Sequence, residues 1–192
     1  MTRVLILGAG GDIARRVIDK LAGDDSTHMT LFLRNPGRLG NRTLRNGSII
    51  RGDVLNRDDL LNAMKGIDIV YANLAGDLGK MAGNIVRAMT DGGVKRLIFI
   101  CSIGIYDTPV KPVLRPYRRA ADVIEGSGLD YTILRPTWFT DEDEVDYETT
   151  KKGEPERGSV VSRKSVAALV ARLIKAPDLF VRESIGVNKP GS

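Results

Sequence analysis

A glycine-rich turn near the start of the chain carries residue types that can bind phosphate. The apolar residues 4–7 are followed directly by Gly8, Gly10 and Gly11, and apolar residues at helical spacing come next. This order predicts a buried strand, a tight turn and the start of a helix. Glycine lets the backbone approach a ligand closely, and the free N–H groups at a helix N-terminus attract an anion. The turn therefore predicts a phosphate site, and the alternative is an ordinary turn between a strand and a helix.

The spacing of the glycines distinguishes two nucleotide-binding motifs. The motif G-x-G-x-x-G would place a glycine or alanine at position 13, where the chain has Ile13. The motif G-x-x-G-x-x-G is matched by Gly8, Gly11 and, with alanine in the last place, Ala14. The second spacing fits better. We assign the cofactor phosphates to the turn and the first helical residues: Gly8, Gly10, Gly11, Asp12 and Ile13.

An arginine follows the second predicted strand, residues 28–33. In dinucleotide sites this position faces the adenosine ribose, where an acidic residue binds the 2′-hydroxyl of NAD and an arginine accommodates the 2′-phosphate of NADP. The chain has Arg34 here and Arg38 one turn later. Charge-assisted hydrogen bonds to a phosphate contribute about 1.5–3 kcal/mol each. The two arginines predict that NADP(H) is preferred over NAD(H); the alternative is that Arg34 is an exposed charge at a strand end.

Further candidate contacts to the nucleotide follow the third and fourth predicted strands. Asp53 can accept a hydrogen bond from the adenine amino group while Val54 packs against the ring, although Asp53 can equally cap its own turn. After the fourth strand, Asn73, Leu74 and Ala75 would let the ribose and diphosphate cross the sheet edge. Because ligands of open parallel sheets bind beyond the carboxyl ends of the strands, we expect these residues to line one cleft.

Two polar residues after the fifth predicted strand, residues 95–100, are candidates for chemistry. Ser102 and Tyr106 follow this strand, so we expect both near the nicotinamide. The alternative for Ser102 is a turn serine that caps the backbone. Three residues at the end of the sixth strand are also assigned to the cofactor: Pro136, Thr137 and Trp138. Trp138 can pack against the nicotinamide or the acceptor, or it can belong to the core.

The elements that must position these residues alternate along the chain. Short apolar runs and segments at helical spacing follow one another up to a last predicted strand at residues 183–187. This alternation predicts an α/β fold, and a length of 192 residues suits one domain, residues 1–192. Residues 140–158 combine an acidic run with turn-forming residues, and we interpret them as a mobile flap over the substrate pocket.

Composition and charge argue against several classes of protein. The net charge of +5 comes from basic residues mixed with acidic ones, which favours a solvated surface and no nucleic-acid partner. We expect no membrane span, because no segment has the required apolar length, and the N-terminus does not read as a secretory signal. The single cysteine, Cys101, fits a cytoplasmic protein, and the single histidine, His28, gives no support for a metal site.

Several motifs together resemble the atypical short-chain dehydrogenase/reductases, most of all the NmrA-like branch and the flavin reductase branch of biliverdin reductase B. They are the glycine turn, Arg34, residues 52–54, Ser102, residues 127–136 and residues 161–163. The stretch S-G-L-D-Y-T-I-L-R-P at 127–136 is the most specific of them. The resemblance implies a doubly wound Rossmann-type sheet, mainly parallel in the order 3-2-1-4-5-6-7, between two layers of helices, with NADP on the first turn.

Short-chain reductases ordinarily carry a Tyr-x-x-x-Lys pair, in which the lysine holds the tyrosine ready to pass a proton to the substrate. Three tyrosines lack a lysine at this spacing: Tyr106 is followed by Val110, Tyr117 by Ala121 and Tyr131 by Arg135. We interpret the pair as absent. The flavin reductase branch also lacks it, since hydride transfer to a flavin or quinone chiefly needs positioning.

The resemblance also implies roles for particular residues. In the flavin reductase branch a serine follows the fifth strand, which matches Ser102, and an aromatic residue covers the acceptor, which Tyr106 matches. A histidine of that branch falls at Thr137, so its role does not carry over. The resemblance therefore implies an NADPH-binding reductase of a small planar acceptor, a flavin or a quinone. The alternative is an NADP(H)-sensing regulatory protein of NmrA-like type that performs no turnover.

Overall fold

Strands and helices alternate along the chain in the computed structural model, which describes residues 1–40, 42 and 44–192. The strands are β1 Thr2–Leu7, β2 Thr27–Leu33, β3 Gly47–Arg51, β4 Ile69–Ala72, β5 Arg96–Ile100, β6 Asp130–Pro136, β7 Trp138–Thr140, β8 Glu148–Lys151, β9 Val160–Ser162 and β10 Glu183–Asn188. The α-helices are α1 Asp12–Leu21, α2 Arg57–Ala63, α3 Leu78–Gly92, α4 Arg115–Glu125 and α5 Arg163–Lys175. Short 3₁₀ helices span Pro36–Leu39 and Pro112–Leu114.

The main sheet has the strand order β3-β2-β1-β4-β5-β6-β10-β8. The pairs from β3 to β10 are parallel, which confirms the predicted order 3-2-1-4-5-6-7 with β10 as the seventh strand. Strand β8 then pairs antiparallel with β10, and β7 and β9 form a separate parallel pair. The sequence analysis did not predict these three strands, because they are only three or four residues long.

Two hydrophobic cores hold the sheet between its helices. One core packs α1 and α5 against one face, and the other packs α2, α3 and α4 against the opposite face. Strands β1, β4 and β5 contribute to both cores because they are buried on both faces, as expected for parallel strands covered by helices. The protein is therefore a single α/β domain of three layers, as predicted.

The segment 140–158 is tied to the rest of the domain at several points. Strand β8 lies in it and pairs with β10. Lys189 Nζ donates to Glu144 Oε2 at 2.8 Å, and Lys164 Nζ donates to Asp143 Oδ1 at 2.5 Å. The mobility of this segment stays a prediction. The sequence analysis did not predict that the segment contains a strand, β8.

None of the helices in the described part of the chain has the length and apolarity needed to cross a lipid bilayer.

Candidate functional site

The glycine turn brings two adjacent strands together at their carboxyl ends. Gly8 has φ +76°, and a Cβ atom at this position would overlap the carbonyl oxygen of Asn73. A Cβ atom at Gly11 would lie 2.7 Å from Asn73 Nδ2. A side chain at either position would therefore crowd Asn73, and glycine keeps the turn close to the end of β4 with its backbone open to a ligand.

Gly11 is also the N-cap of α1. Having no side chain, it offers no acceptor to the first N–H groups of the helix, which would be left for an anion. The acidic side chain in this first turn, Asp12, is bound to Arg15. The amino end of α1 thus has the donors and the open backbone that a nucleotide diphosphate requires.

A cleft of about 660 Å³ opens over this turn. It is lined by twelve of the residues assigned to the cofactor: Gly8, Gly10, Gly11, Asp12, Ile13, Arg34, Arg38, Asp53, Val54, Asn73, Leu74 and Ala75. They come from the carboxyl ends of β1, β2, β3 and β4, or from the segments that follow them. The parallel register of these strands is what brings together residues that lie up to 67 positions apart. Whether each of them contacts a cofactor stays a prediction.

Two arginines lie on the β2 side of the cleft. Asn35 Oδ1 accepts a hydrogen bond of 3.0 Å from the N–H of Gly37 and caps the 3₁₀ helix Pro36–Leu39. This cap holds Arg38 beside the glycine turn, where a Cβ atom at Gly10 would lie 2.9 Å from Arg38 Cβ. Arg34 precedes the cap and is exposed. Both arginines therefore line the cleft on the side where a 2′-phosphate is expected.

The loop after β3 is held by a buried side chain that the sequence analysis did not identify. Asn84 of α3 donates to the carbonyl oxygens of Val54 and Leu55, both at 3.2 Å. Asp53 Oδ1 accepts from the N–H of Leu55 at 2.9 Å, so Asp53 caps its turn while it also lines the cleft. The two interpretations of Asp53 are thus compatible, and Asn84 fixes the loop that would carry the adenine.

Two cleft residues from the second half of the chain were also missed. Phe139 of β7 and Arg163 at the start of α5 line the cleft, with the Arg163 guanidinium 5.3 Å from the centre of the Phe139 ring. Arg163 also pairs with Asp141 at 3.0 Å. The sequence did contain a signal for Arg163. Ser162 predicts a helix N-cap, and an arginine at the first position of a helix can bind an anion at that helix end. The sequence offered no such signal for Phe139. Its position at the cleft depends on the pairing of β7 with β9, which is a tertiary contact.

A family model described as NAD(P)H-binding matches residues 8–177 of this sequence. The chain belongs to this NAD(P)H-binding family. The match begins at the first glycine of the turn and extends past α5, so it covers all of the residues that line the cleft.

Solved structures agree with membership of the NAD(P)H-binding family. The chain is similar to a Rossmann-fold NAD(P)-binding family protein from Shigella flexneri, with 53% identity and a TM-score of 0.93 over 100% of this chain and 95% of that one. It is also similar to a short-chain dehydrogenase/reductase from Veillonella parvula in complex with NADP, with 28% identity and a TM-score of 0.86 over 99% and 95% of the two chains. The resemblance to short-chain dehydrogenase/reductases is confirmed.

Part of the chain is also similar to curated plant proteins. An isoflavone reductase homologue from Nicotiana tabacum is 26% identical over 155 residues, which cover 73% of this chain and 49% of the relative. The chain thus spans about half the length of the plant relatives that it matches.

Five residues assigned to the nicotinamide end do not line the cleft: Ser102, Tyr106, Pro136, Thr137 and Trp138. Ser102 Oγ donates to the carbonyl of Ile103 at 3.2 Å, as its capping alternative expects. Thr137 is buried and donates to the carbonyl of Val187 at 3.3 Å, and Pro136 is buried at the end of β6. Trp138 is 80% exposed, so it does not belong to the core. Their contacts to a cofactor stay predictions.

Tyr106 lies in a polar cluster on the α4 face of the sheet. Its hydroxyl donates to Glu125 Oε1 at 2.6 Å and lies 3.0 Å from Ser184 Oγ. Burial raises the pKa of Tyr106 well above its ordinary value, and the hydrogen bond to Glu125 raises it further. The hydroxyl is therefore held by α4 and β10. The catalytic role assigned to Tyr106 stays a prediction. In this structure the tyrosine hydroxyl uses its proton in the hydrogen bond to Glu125.

Cys101 follows β5 and is 4% exposed. Its thiol donates to the carbonyl oxygen of Tyr117 at 3.4 Å. Burial raises the pKa of the Cys101 thiol to about 12. A thiol in this environment is neutral at ordinary pH, and this favours the interpretation of Cys101 as a packed side chain.

One interpretation from the sequence needs correction, because a Tyr-x-x-x-Lys spacing does occur, from Tyr147 to Lys151. In short-chain reductases the pair can act because four residues on a helix span about one turn. Here Lys151 ends strand β8, where four residues span about 13 Å. Tyr147 packs against the core of α1 and α5, whereas Lys151 is exposed and pairs with Glu183 at 3.5 Å. The spacing is present, but the extended backbone separates the two groups.

Proposed function

We propose that this protein is an NADPH-dependent reductase that transfers hydride to a small planar acceptor of flavin or quinone type. The observation that carries the proposal is the cleft itself. It combines the open glycine turn at the amino end of α1 with Arg34 and Arg38 on the β2 side. An uncharged or singly charged ligand would not need both features, whereas NADPH has a diphosphate and a 2′-phosphate.

The preference for NADPH rests on charge at one end of the cleft. Arg34 follows β2 at the position where NAD-specific sites carry an acidic residue, and Arg38 follows one turn later. Each guanidinium can donate two parallel hydrogen bonds to a phosphate. The short-chain dehydrogenase/reductase from Veillonella parvula, which binds NADP, supports this choice.

Bound NADPH would supply the hydride, and the protein would hold the cofactor and the acceptor in position. The turn and the amino end of α1 would hold the diphosphate, while Asp53 and Val54 would orient the adenine. The exposed indole of Trp138, next to the cleft residue Phe139, offers a flat apolar face to a planar acceptor. Proximity of this kind suits an acceptor that takes its protons from water.

The direct test mixes the protein with NADPH and a panel of flavins and quinones without oxygen, and follows the loss of nicotinamide absorbance. We expect saturable oxidation of NADPH with at least one acceptor. A Gly11→Ala variant is the matched control for the role of the phosphate turn. Its Cβ would crowd Asn73 in the turn without touching the acceptor side. Tight NADPH binding with no oxidation across the panel would overturn the reductase proposal and favour an NADP(H)-sensing binding protein.

A further inference from the structure

A buried arginine beyond the nucleotide cleft has more hydrogen-bond donors than partners. Arg135 lies in β6, and its side chain is 2% exposed. Its Nη1 donates to Glu156, but Nε and Nη2 have no hydrogen-bond partner among the described residues. A guanidinium carries five N–H donors and is always charged, so leaving two nitrogens unpaired in the interior is costly. The Arg135 guanidinium therefore keeps hydrogen-bond donors that its pairing with Glu156 leaves unused.

The partner of Arg135 is a carboxylate supplied from the surface. Glu156 lies in the exposed stretch 151–159, and its side chain is 27% exposed. While one oxygen binds Arg135, Oε2 accepts from the backbone N–H of Gly104 at 3.1 Å. Arg135 and Gly104 therefore hold one carboxylate between the carboxyl ends of β5 and β6. Substrates of open parallel sheets bind at this edge.

The segment that carries Glu156 is bounded by two glycines in the left-handed region. Gly153 has φ +93° and Gly158 has φ +65°. Before the first glycine, Lys152 is tied to both carboxylate oxygens of Glu125, at 2.8 and 2.9 Å. Between the glycines, the described side-chain hydrogen bonds to the β5 and β6 ends come from Glu156 alone. Removal of this one carboxylate would therefore release the segment locally.

We propose that the Arg135 guanidinium and the Gly104 N–H form a binding site for a carboxylate of the acceptor, and that Glu156 fills this site until the acceptor displaces it. The ring of Tyr106 lies 5.3 Å from the Arg135 guanidinium and forms one wall of the site. The acceptor is accordingly a planar molecule that carries a carboxylate. Naming it the acceptor rests on the proposed reductase function, whereas the carboxylate site does not.

The competing explanation is a permanent ion pair that supports the fold. A permanent pair excludes added carboxylates, whereas an internal occupant competes with them. The probe is benzoate, a planar carboxylate, with benzamide as its neutral counterpart. The reporter is the backbone amide of Gly104 in ¹H–¹⁵N spectra of the full-length wild-type protein loaded with NADP⁺.

We expect benzoate to shift the Gly104 resonance saturably and benzamide to leave it in place. Glu156→Ala should tighten benzoate binding by about tenfold, because the internal competitor is gone. The matched control is Glu154→Ala, since Glu154 is an acidic residue of the same segment that bonds to Lys151 instead. A Gly104 amide in the wild-type protein that does not respond to benzoate overturns the proposal. Equal effects of the two substitutions overturn it as well.

The wild-type titration decides the question even if Glu156→Ala does not fold. The outcome is also separate from the fate of the reductase proposal, because the titration measures binding without turnover. Benzoate binding together with a silent acceptor panel would keep the carboxylate site and remove the reductase function. Turnover of acceptors with no effect of benzoate at Gly104 would keep the reductase function and remove the carboxylate site.

Discussion

Gly8 and Asn73 approach each other so closely that a Cβ atom at position 8 would overlap the Asn73 carbonyl oxygen. The N–H of Asn73 donates to the carbonyl of Leu7 at 3.0 Å, which joins the ends of β1 and β4 directly below the cleft. The floor of the candidate nucleotide site is thus built from backbone, and a side chain at position 8 cannot be accommodated by rotation of a neighbour.

Gly8→Ala should abolish NADPH binding and destabilise the protein. The positive φ alone costs an alanine about 1–2 kcal/mol, and the overlap with Asn73 adds to this. The control is Gly83→Ala in α3, where a Cβ atom meets nothing within 4 Å. That substitution should stabilise the protein by about 0.5–1 kcal/mol. Calorimetric titration with NADPH and thermal unfolding measure both effects, and a Gly8→Ala protein that binds NADPH normally would contradict the assignment of the turn.

Arg34→Gln should weaken NADPH binding far more than NADH binding. Loss of a charge-assisted contact to the 2′-phosphate costs about 1.5–3 kcal/mol, and NADH has no phosphate at this position. Arg172→Gln is a suitable control, because Arg172 is an exposed arginine near the far end of α5 and does not line the cleft. Dissociation constants for both cofactors give the comparison. An unchanged ratio of the two affinities would place the 2′-phosphate elsewhere.

Arg163→Gln should weaken NADPH and NADH binding to a similar extent. Arg163 lines the cleft from the start of α5 and not from the segment after β2, where the 2′-phosphate is expected, so we expect its charge to act on the part common to both cofactors. The loss of one partly exposed cation should cost about 1 kcal/mol. The same titrations measure it, and a selective loss of NADPH affinity would mean that Arg163 faces the 2′-phosphate.

Cys101 should react slowly with iodoacetamide in the native protein. Burial raises the pKa of its thiol from the ordinary 9.0 to about 12, so thiolate is scarce at pH 8–9. As pH rises from about 9 towards 12, the unfolded chain loses this proton first, and the Cys101 contribution to stability falls. Because the chain has one cysteine, mass spectrometry of the adduct reports it directly. Native alkylation with an inflection near pH 9 would show that the thiol is solvent-accessible.

Tyr106→Phe should lower the free energy of unfolding by about 1–2 kcal/mol, since it removes a hydrogen bond to the Glu125 carboxylate. NADPH affinity should not change, because Tyr106 does not line the cleft. Tyr117→Phe is the control, since no hydrogen bond from the Tyr117 hydroxyl reaches the described residues, and it should change stability by less than about 0.5 kcal/mol. Loss of NADPH oxidation with unchanged stability would instead support a catalytic Tyr106.

Much of the nucleotide site could be predicted because its signals are local. The glycine spacing directly follows the apolar run at residues 4–7, and Arg34 directly follows a strand, so each signal depends on only a few neighbouring residues. The parallel sheet order then followed from the resemblance, and the structure confirms it. Phe139 escaped prediction because a three-residue strand carries too few residues to show alternation.

The amino-acid sequence by itself determined the phosphate turn, the alternation of strands and helices and the arginines beside the expected ribose. These features depend on backbone conformation and on neighbours in the chain. Only the tertiary structure decided that Glu125 holds Tyr106, that Asn84 fixes the loop after β3 and that Glu156 binds Arg135. These contacts join segments that are 19 to 30 residues apart, so they depend on how the segments pack. Tyr147 and Lys151 show the same limit, because only the extended backbone of β8 reveals that their spacing does not bring them together.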